Sequence, residues 1–206
     1  MVNKRHLLFN SPAPDLTVKD THGNEVQLSN LWQEAPLLLS FTRHFGCTQC
    51  KEMLEELVNG RDQIERAGLE LVVITQGTPE LTAEFGKRYA PGLTLLADPE
   101  RKAYAAYGLE RGNLFQTFLS LNVWKAIRRS RKKGLAVEMP PEGQDAMQMS
   151  GTFIINTQGR IELPFYYDDI ADHPSLDLLL KGVLNTSWNA SFEGPVGIQE
   201  THIKNG

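Results

Sequence analysis

The stretch Leu37-Leu-Leu-Ser-Phe-Thr-Arg-His-Phe-Gly-Cys-Thr-Gln-Cys50 decides how the rest of the chain is read. Its first half, after Pro36, is a continuous apolar run of strand length, the pattern of a central strand buried on both faces. Its second half opens a helix. Cys50, Met53, Leu54, Leu57, Val58 and Ile64 recur at three- and four-residue spacing, and Gly68 supplies a stop. Cys47 therefore sits where a buried strand hands over to a helix. Unpartnered backbone N–H groups and the positive end of the helix dipole meet there, and both favour thiolate over thiol. Arg43, His44 and Lys51 are close in sequence and could lower the pKa further. Cys50 follows one turn on, on the same face, within disulfide reach of Cys47.

These are the only two cysteines in 206 residues. A structural disulfide would close a long loop, whereas a bridge across C-x-x-C closes almost nothing. Two thiols alone do not fill a closed structural zinc site, which takes four ligands. Redox chemistry is the reading that remains, against the plainer one of two unreactive thiols packed on an apolar face. The rest of the composition is that of an ordinary globular protein, 41% hydrophobic and 22% charged. A formal net charge of −4 gives no global basicity for nucleic acid. No apolar run is long enough to span a bilayer. The N-terminal apolar stretch is too short for a signal peptide, so a reducing cytoplasm is the expected compartment.

Outward from the cysteines the chain alternates strand and helix patterns. Leu16 to Asp20 and Glu25 to Leu28 flank the turn signal Thr21-His-Gly-Asn, which predicts a hairpin. Ser29 is positioned to cap a short helix through Trp32. Leu69 to Thr75 reads as a second buried strand, Thr78-Pro79 as the start of a helix to about Tyr89, Leu93 to Ala97 as a strand, and Pro99 to Tyr107 as a helix. Two strand patterns return at Thr152 to Asn156 and Arg160 to Tyr166, and Pro174 opens a closing helix over Leu176 to Leu184. The pattern predicts an α/β fold, a mostly parallel sheet covered by helices. Residues 1–185 form one domain in this reading, with a helical insert at 112–150, and 186–206 form a C-terminal tail.

Taken in order, several motifs resemble the peroxiredoxin-like branch of the alkyl hydroperoxide reductase/thiol-specific antioxidant superfamily. They are the Ser11-Pro-Ala-Pro-Asp hairpin region, Phe45-Gly-Cys-Thr-Gln-Cys50, Tyr107-Gly-Leu-Glu-Arg-Gly-Asn113, Gly151-Thr-Phe-Ile-Ile-Asn-Thr-Gln-Gly-Arg160 and Asp172-His-Pro174. The resemblance implies a thioredoxin-like fold with a central mixed sheet. It also implies that Cys47 attacks a hydroperoxide and becomes a sulfenic acid, which Cys50 resolves as a disulfide. A thioredoxin- or glutathione-type reductant would restore the thiols, no bound cofactor or metal is implied, and a homodimer is compatible with it. The chain departs from that family at three places. Ser40 and His44 stand where typical members have proline and threonine, and Ser150 stands where they have arginine, so Arg43 or His44 would have to take over the arginine's work. A disulfide or endoperoxide reductase of the same fold, and a non-enzymatic binding module, are the alternatives.

Other residues carry weaker signals. His44 reads as a general base or peroxide hydrogen-bond donor, or as a residue that only orders its turn. Thr42 and Thr152, at strand ends, line the pocket or simply pack the sheet. His173, before Pro174, is expected to serve the turn or cap rather than catalysis. Gly108-Leu-Glu-Arg-Gly112 lacks the spacing of a dinucleotide loop. The run Lys125 to Lys133 holds six Lys/Arg and no acid, and suits a solvated helix end or the docking of an acidic partner, anionic lipid or nucleic acid. Phe115, Phe118, Leu119 and Val123 form a stripe for core packing or for walling a pocket.

Overall fold

The computed structural model describes residues 6–112, 128 and 138–181. Of the expected helical insert at 112–150, residues 112, 128 and 138–150 are described, and 138–150 form turns and an isolated bridge of Gln148 to Arg111 instead of helix. The rest of the insert, with the aromatic stripe and all of the basic run but Arg128, and the C-terminal tail lie outside the described residues. No helix among the described residues is long and apolar enough to cross a membrane.

The predicted hairpin forms as β1 (Thr17–Asp20) and β2 (Glu25–Gln27). Its turn is held by the Asp20 carboxylate, which accepts the backbone N–H groups of His22 and Asn24, while Gly23 takes the positive φ the turn requires. A 3₁₀ turn over Leu28–Trp32 follows. Ser29 does not cap it: the preceding residue is Gln27, without a side-chain cap, and the Ser29 N–H instead donates to the Asp15 carboxylate.

Strand β3 (Leu37–Phe41) is buried at every residue, as its unbroken apolar run predicts. Helix α1 (Thr48–Arg66) returns the chain to β4 (Glu70–Thr75), and α2 (Pro79–Tyr89) returns it to β5 (Thr94–Ala97). Gly68 takes positive φ just past α1, and its N–H and that of Leu69 reach back to the carbonyls of Glu65 and Ile64, so the predicted stop is a left-handed C-cap. Thr78 caps α2 through its hydroxyl, with Pro79 at the first helical position.

The next helix starts later than Pro99. The Asp98 carboxylate accepts the N–H groups of Lys102 and Ala103, so α3 (Lys102–Ala106) begins only after Arg101 has turned through a left-handed conformation. Strands β6 (Gly151–Ile155) and β7 (Ile161–Tyr166) and helix α4 (Leu176–Lys181) complete the described elements. Ser175, rather than Pro174, sits at the α4 entry, with its hydroxyl accepting the Leu178 N–H.

The seven strands lie in the order β2-β1-β5-β4-β3-β6-β7. Strands β3, β4 and β5 run parallel to one another, whereas β6 pairs antiparallel with β3 and with β7, and β1 antiparallel with β5 and with β2. The sheet is thus mixed, with its parallel part in the centre.

Alternation along β3 divides the core in two. Leu38 joins Met53, Leu54, Leu57 and Phe85 under α1 and α2. Leu37, Leu39 and Phe41 face the other way, against Trp32, Tyr104 and Tyr107. Both layers are dense: Leu54 and Phe41 are wholly buried. Truncating a leucine in such a setting typically costs about 2–5 kcal/mol. This rigid sandwich fixes where β3 ends, and therefore where Thr42 and Arg43 emerge.

Candidate active site

The turn between β3 and α1 is held from three sides. At the end of the strand, Thr42 N–H and its hydroxyl both donate to the Ile74 carbonyl, and the buried Tyr104 hydroxyl donates to the Thr42 carbonyl at 2.8 Å. Thr42 therefore anchors the strand end and points its hydroxyl at β4. From the far side, the segment 138–150 folds back over the turn. Glu138 N–H donates to the Gly46 carbonyl, and Phe45 N–H donates to Gln144 Oε1 at 2.8 Å. A Cβ on Gly46 would overlap the Glu138 backbone, which explains glycine at this position.

Cys47 is the N-cap of α1, and its sulfur accepts the Cys50 N–H at 3.4 Å, the bond a Ser or Asp cap would ordinarily take. Both cysteines are free and buried. Arg43, itself only 2% exposed, lies beside them. Its Nη1 is 3.7 Å from Cys47 Sγ, its Nε donates to the Gln148 carbonyl at 3.1 Å, and its Nη2 donates to the Ala146 carbonyl. The Arg43 backbone N–H donates to Cys50 Sγ at 3.3 Å. One residue thus touches both sulfurs and fastens them to the returning segment.

The two thiols are strongly polarised. A hydrogen bond from the Cys50 thiol, with the Arg43 charge and helix-end N–H groups adding to it, overcomes burial and brings Cys47 down to about 6. Burial, then the neighbouring Cys47 thiolate, push Cys50 up. At neutral pH this asymmetry favours the thiolate at Cys47 and the protonated thiol at Cys50.

The remaining predicted residues fall into place around this pair. His44 is buried. Desolvation and the charges of Arg43 and Lys51 hold it down to about 4, so it is neutral and does not help lower the Cys47 pKa. Its Nδ1 has no hydrogen-bond partner among the described residues. Lys51 is turned away from the sulfurs: its ammonium pairs with Glu138 at 2.7 Å and sits 4.5 Å over the Tyr89 ring. Thr152 lies one layer behind the helix, where its hydroxyl bonds Tyr167 at 2.8 Å and Ser40 at 3.3 Å. Ser150 is buried on the strand lead and contributes no cation. His173 does not cap α4; its Nε2 faces the Glu56 carboxylate on α1 at 3.3 Å.

Residues the sequence did not single out are Gln49, Gln144 and the carbonyls of Ala146 and Gln148. The last three are brought in by a segment remote in sequence, so no local signal could have found them. Gln49 stood between the cysteines, and its polarity at a buried helix start was the available sign.

A stabilised thiolate at a helix start, a protonated thiol one turn on, and a thioredoxin-like sheet beneath them define a thiol-dependent oxidoreductase. Residues 9–163 match the AhpC/TSA family, and the chain belongs to it as a peroxiredoxin-like member. The chain is 32% identical over 89 residues to "Thioredoxin-like protein AAED1, chloroplastic" of Arabidopsis thaliana, a match covering 43% of this chain and only 36% of that protein. It is 25% identical over 173 residues to Peroxiredoxin-like 2C of Bos taurus, covering 81% of this chain and 76% of the relative. It is 26% identical over 163 residues to prostamide/prostaglandin F synthase of Bos taurus, covering 78% and 80%. Among solved structures, a reduced 2-Cys peroxiredoxin of Plasmodium vivax superposes with a TM-score of 0.60 over 84% of this chain and 78% of that one, at 14% identity, a likeness of fold.

Proposed function

We propose that the protein reduces hydroperoxides through a Cys47/Cys50 dithiol–disulfide cycle. The observation that carries this reading is the Arg43 guanidinium held 3.7 Å from the sulfur of a thiolate-favouring Cys47. Arg43 occupies the role that the absent family arginine would fill from the Ser150 position. The Cys47 thiolate attacks the terminal peroxide oxygen, the S–O bond forms as the O–O bond breaks, and the alkoxide leaves as an alcohol after taking a proton from water. Cys50 then condenses with the sulfenic acid, releasing water and forming the disulfide. A thioredoxin- or glutathione-type dithiol or thiol donor returns both sulfurs to the reduced state by exchange, a cycle suited to a reducing compartment such as the cytoplasm.

Rapid mixing of the reduced protein with hydrogen peroxide or an organic hydroperoxide tests the reading. Oxidation of Cys47 well above the rate of a free thiol, absent in Cys47→Ser, is expected. Slow oxidation together with rapid reduction of insulin disulfides would replace the peroxidase with a disulfide reductase. The similarity to prostamide/prostaglandin F synthase supports a second reading, an endoperoxide as oxidant. The same attack on an O–O bond serves both.

A further inference from the structure

Gln49 is the second residue of α1, between the cysteines, and is 3% exposed. Its Oε1 accepts the Thr48 hydroxyl at 3.0 Å and lies 4.0 Å from Cys47 Sγ. Its Nε2 is a buried atom with no hydrogen-bond partner among the described residues. An amide nitrogen removed from water without a partner forfeits a hydrogen bond, and an apolar side chain of the same shape would cost the fold less. His44 Nδ1 also has no partner among the described residues, but it is the Gln49 amide whose oxygen lies 4.0 Å from Cys47 Sγ.

Arg43 is already committed. Its guanidinium binds the sulfur and two backbone carbonyls, so it holds the thiolate in place. The oxygen that departs from the sulfur is a separate site of charge, and it calls for a donor aimed at it rather than at the sulfur.

We infer that Gln49 Nε2 is the hydrogen-bond donor for the leaving oxygen of the peroxide, which makes Gln49 a catalytic residue of the reaction proposed above and rests on that reading. Two electrons pass from the Cys47 sulfur into the O–O bond. The negative charge that collects on the departing RO⁻ is met by the amide N–H until water supplies the proton. The amide oxygen is taken up by the Thr48 hydroxyl, and the Nε2 end is the one left without a partner among the described residues. No donor of this kind is needed for attack on an alkyl halide, where no oxyanion departs.

That contrast supplies the experiment. The Gln49→Met variant keeps the volume and removes both N–H groups. Its oxidation by hydrogen peroxide and by cumene hydroperoxide is compared with its alkylation by iodoacetamide, and the Cys47 pKa is read from thiolate absorbance at 240 nm. A loss of about 10- to 100-fold toward both peroxides is expected, with alkylation and pKa unchanged. Gln49→Leu repeats the measurement if the methionine variant does not fold. Undiminished peroxide rates would overturn the inference while leaving the peroxidase reading intact. Losses that run in parallel with alkylation, or with a shifted pKa, would also overturn it, because Gln49 would then act on the sulfur. A wild-type protein no faster than a free thiol toward peroxide would end both.

Discussion

Replacing Arg43 by methionine removes the one cation among the described residues that contacts Cys47 Sγ, while keeping an unbranched chain in its slot. At the observed 3.7 Å, and with an effective dielectric constant of about 20, the attraction between guanidinium and thiolate is worth about 4 kcal/mol. That is the ceiling. The Cys50 thiol, the largest contributor to the low Cys47 pKa, and the helix-end N–H groups remain in place. Opposite charges at this range shift a pKa by about 1–3 units, so the Cys47 value should rise from about 6 to about 7–9. At pH 7 the thiolate fraction would then fall from about nine-tenths to half or less. The pH titration of absorbance at 240 nm reads this shift, and the pH profile of iodoacetamide alkylation checks it independently. Because Arg43 also ties the Ala146 and Gln148 carbonyls, the variant needs a thermal melt beside the titration. Arg43→Lys serves as control, since it restores the charge without the planar fork and should recover part of the shift. A titration of Arg43→Met that overlays the wild type would refute the assignment of Arg43 as the thiolate's counter-ion.

Cys50→Ser keeps a donor near Cys47 but cannot form the disulfide, so a dimedone-reactive sulfenic acid should accumulate on peroxide treatment. Cys50→Ala should in addition raise the Cys47 pKa, and an unchanged titration would show that the Cys50 hydrogen bond contributes little. His44 is neutral when folded down to about pH 4 and titrates near 6.5 when unfolded. The unfolded chain therefore gains a proton first as pH falls through that window, and the fold loses up to about 3 kcal/mol by pH 4. Urea unfolding of His44→Gln at pH 7 and pH 4.5 should show a flatter loss than the wild type, and identical slopes would exclude His44 as the cause. Gly46→Ala places a methyl into the Glu138 carbonyl and should lower stability by about 2 kcal/mol, visible as a reduced melting temperature. An unchanged melt would mean that the segment from Glu138 yields freely.

Much of this was legible in the sequence because it is local. The apolar run at Leu37, the cap position of Cys47, the stop at Gly68 and the start at Thr78-Pro79 each depend on a few neighbouring residues. Ser29 and Pro99 misled because a longer-range or stronger partner overrode the local signal: the Asp15 carboxylate takes the Ser29 N–H, and Asp98 sets where α3 begins. The thiolate's neighbours were only half visible. Arg43 and Lys51 look equivalent in sequence, yet Arg43 faces the sulfur whereas Glu138 and Tyr89 draw Lys51 away. That distinction arises from a segment about a hundred residues distant closing over the turn, which no spacing rule reports.

The asymmetry of the cysteine pair also bears on the energy of electron transfer. Everything that holds Cys47 as a thiolate stabilises the reduced protein and does nothing for a neutral Cys47–Cys50 disulfide. In that oxidised form Arg43 would keep its buried positive charge and lose the anion that balances it. For a two-electron couple each tenfold gain in stability of the reduced form raises the reduction potential by about 30 mV. In the proposed cycle the oxidised pair would therefore be a ready electron acceptor. The arrangement proposed to speed the attack of Cys47 would then also drive the return to the dithiol, with a donor of ordinary reducing strength sufficient to recharge the site.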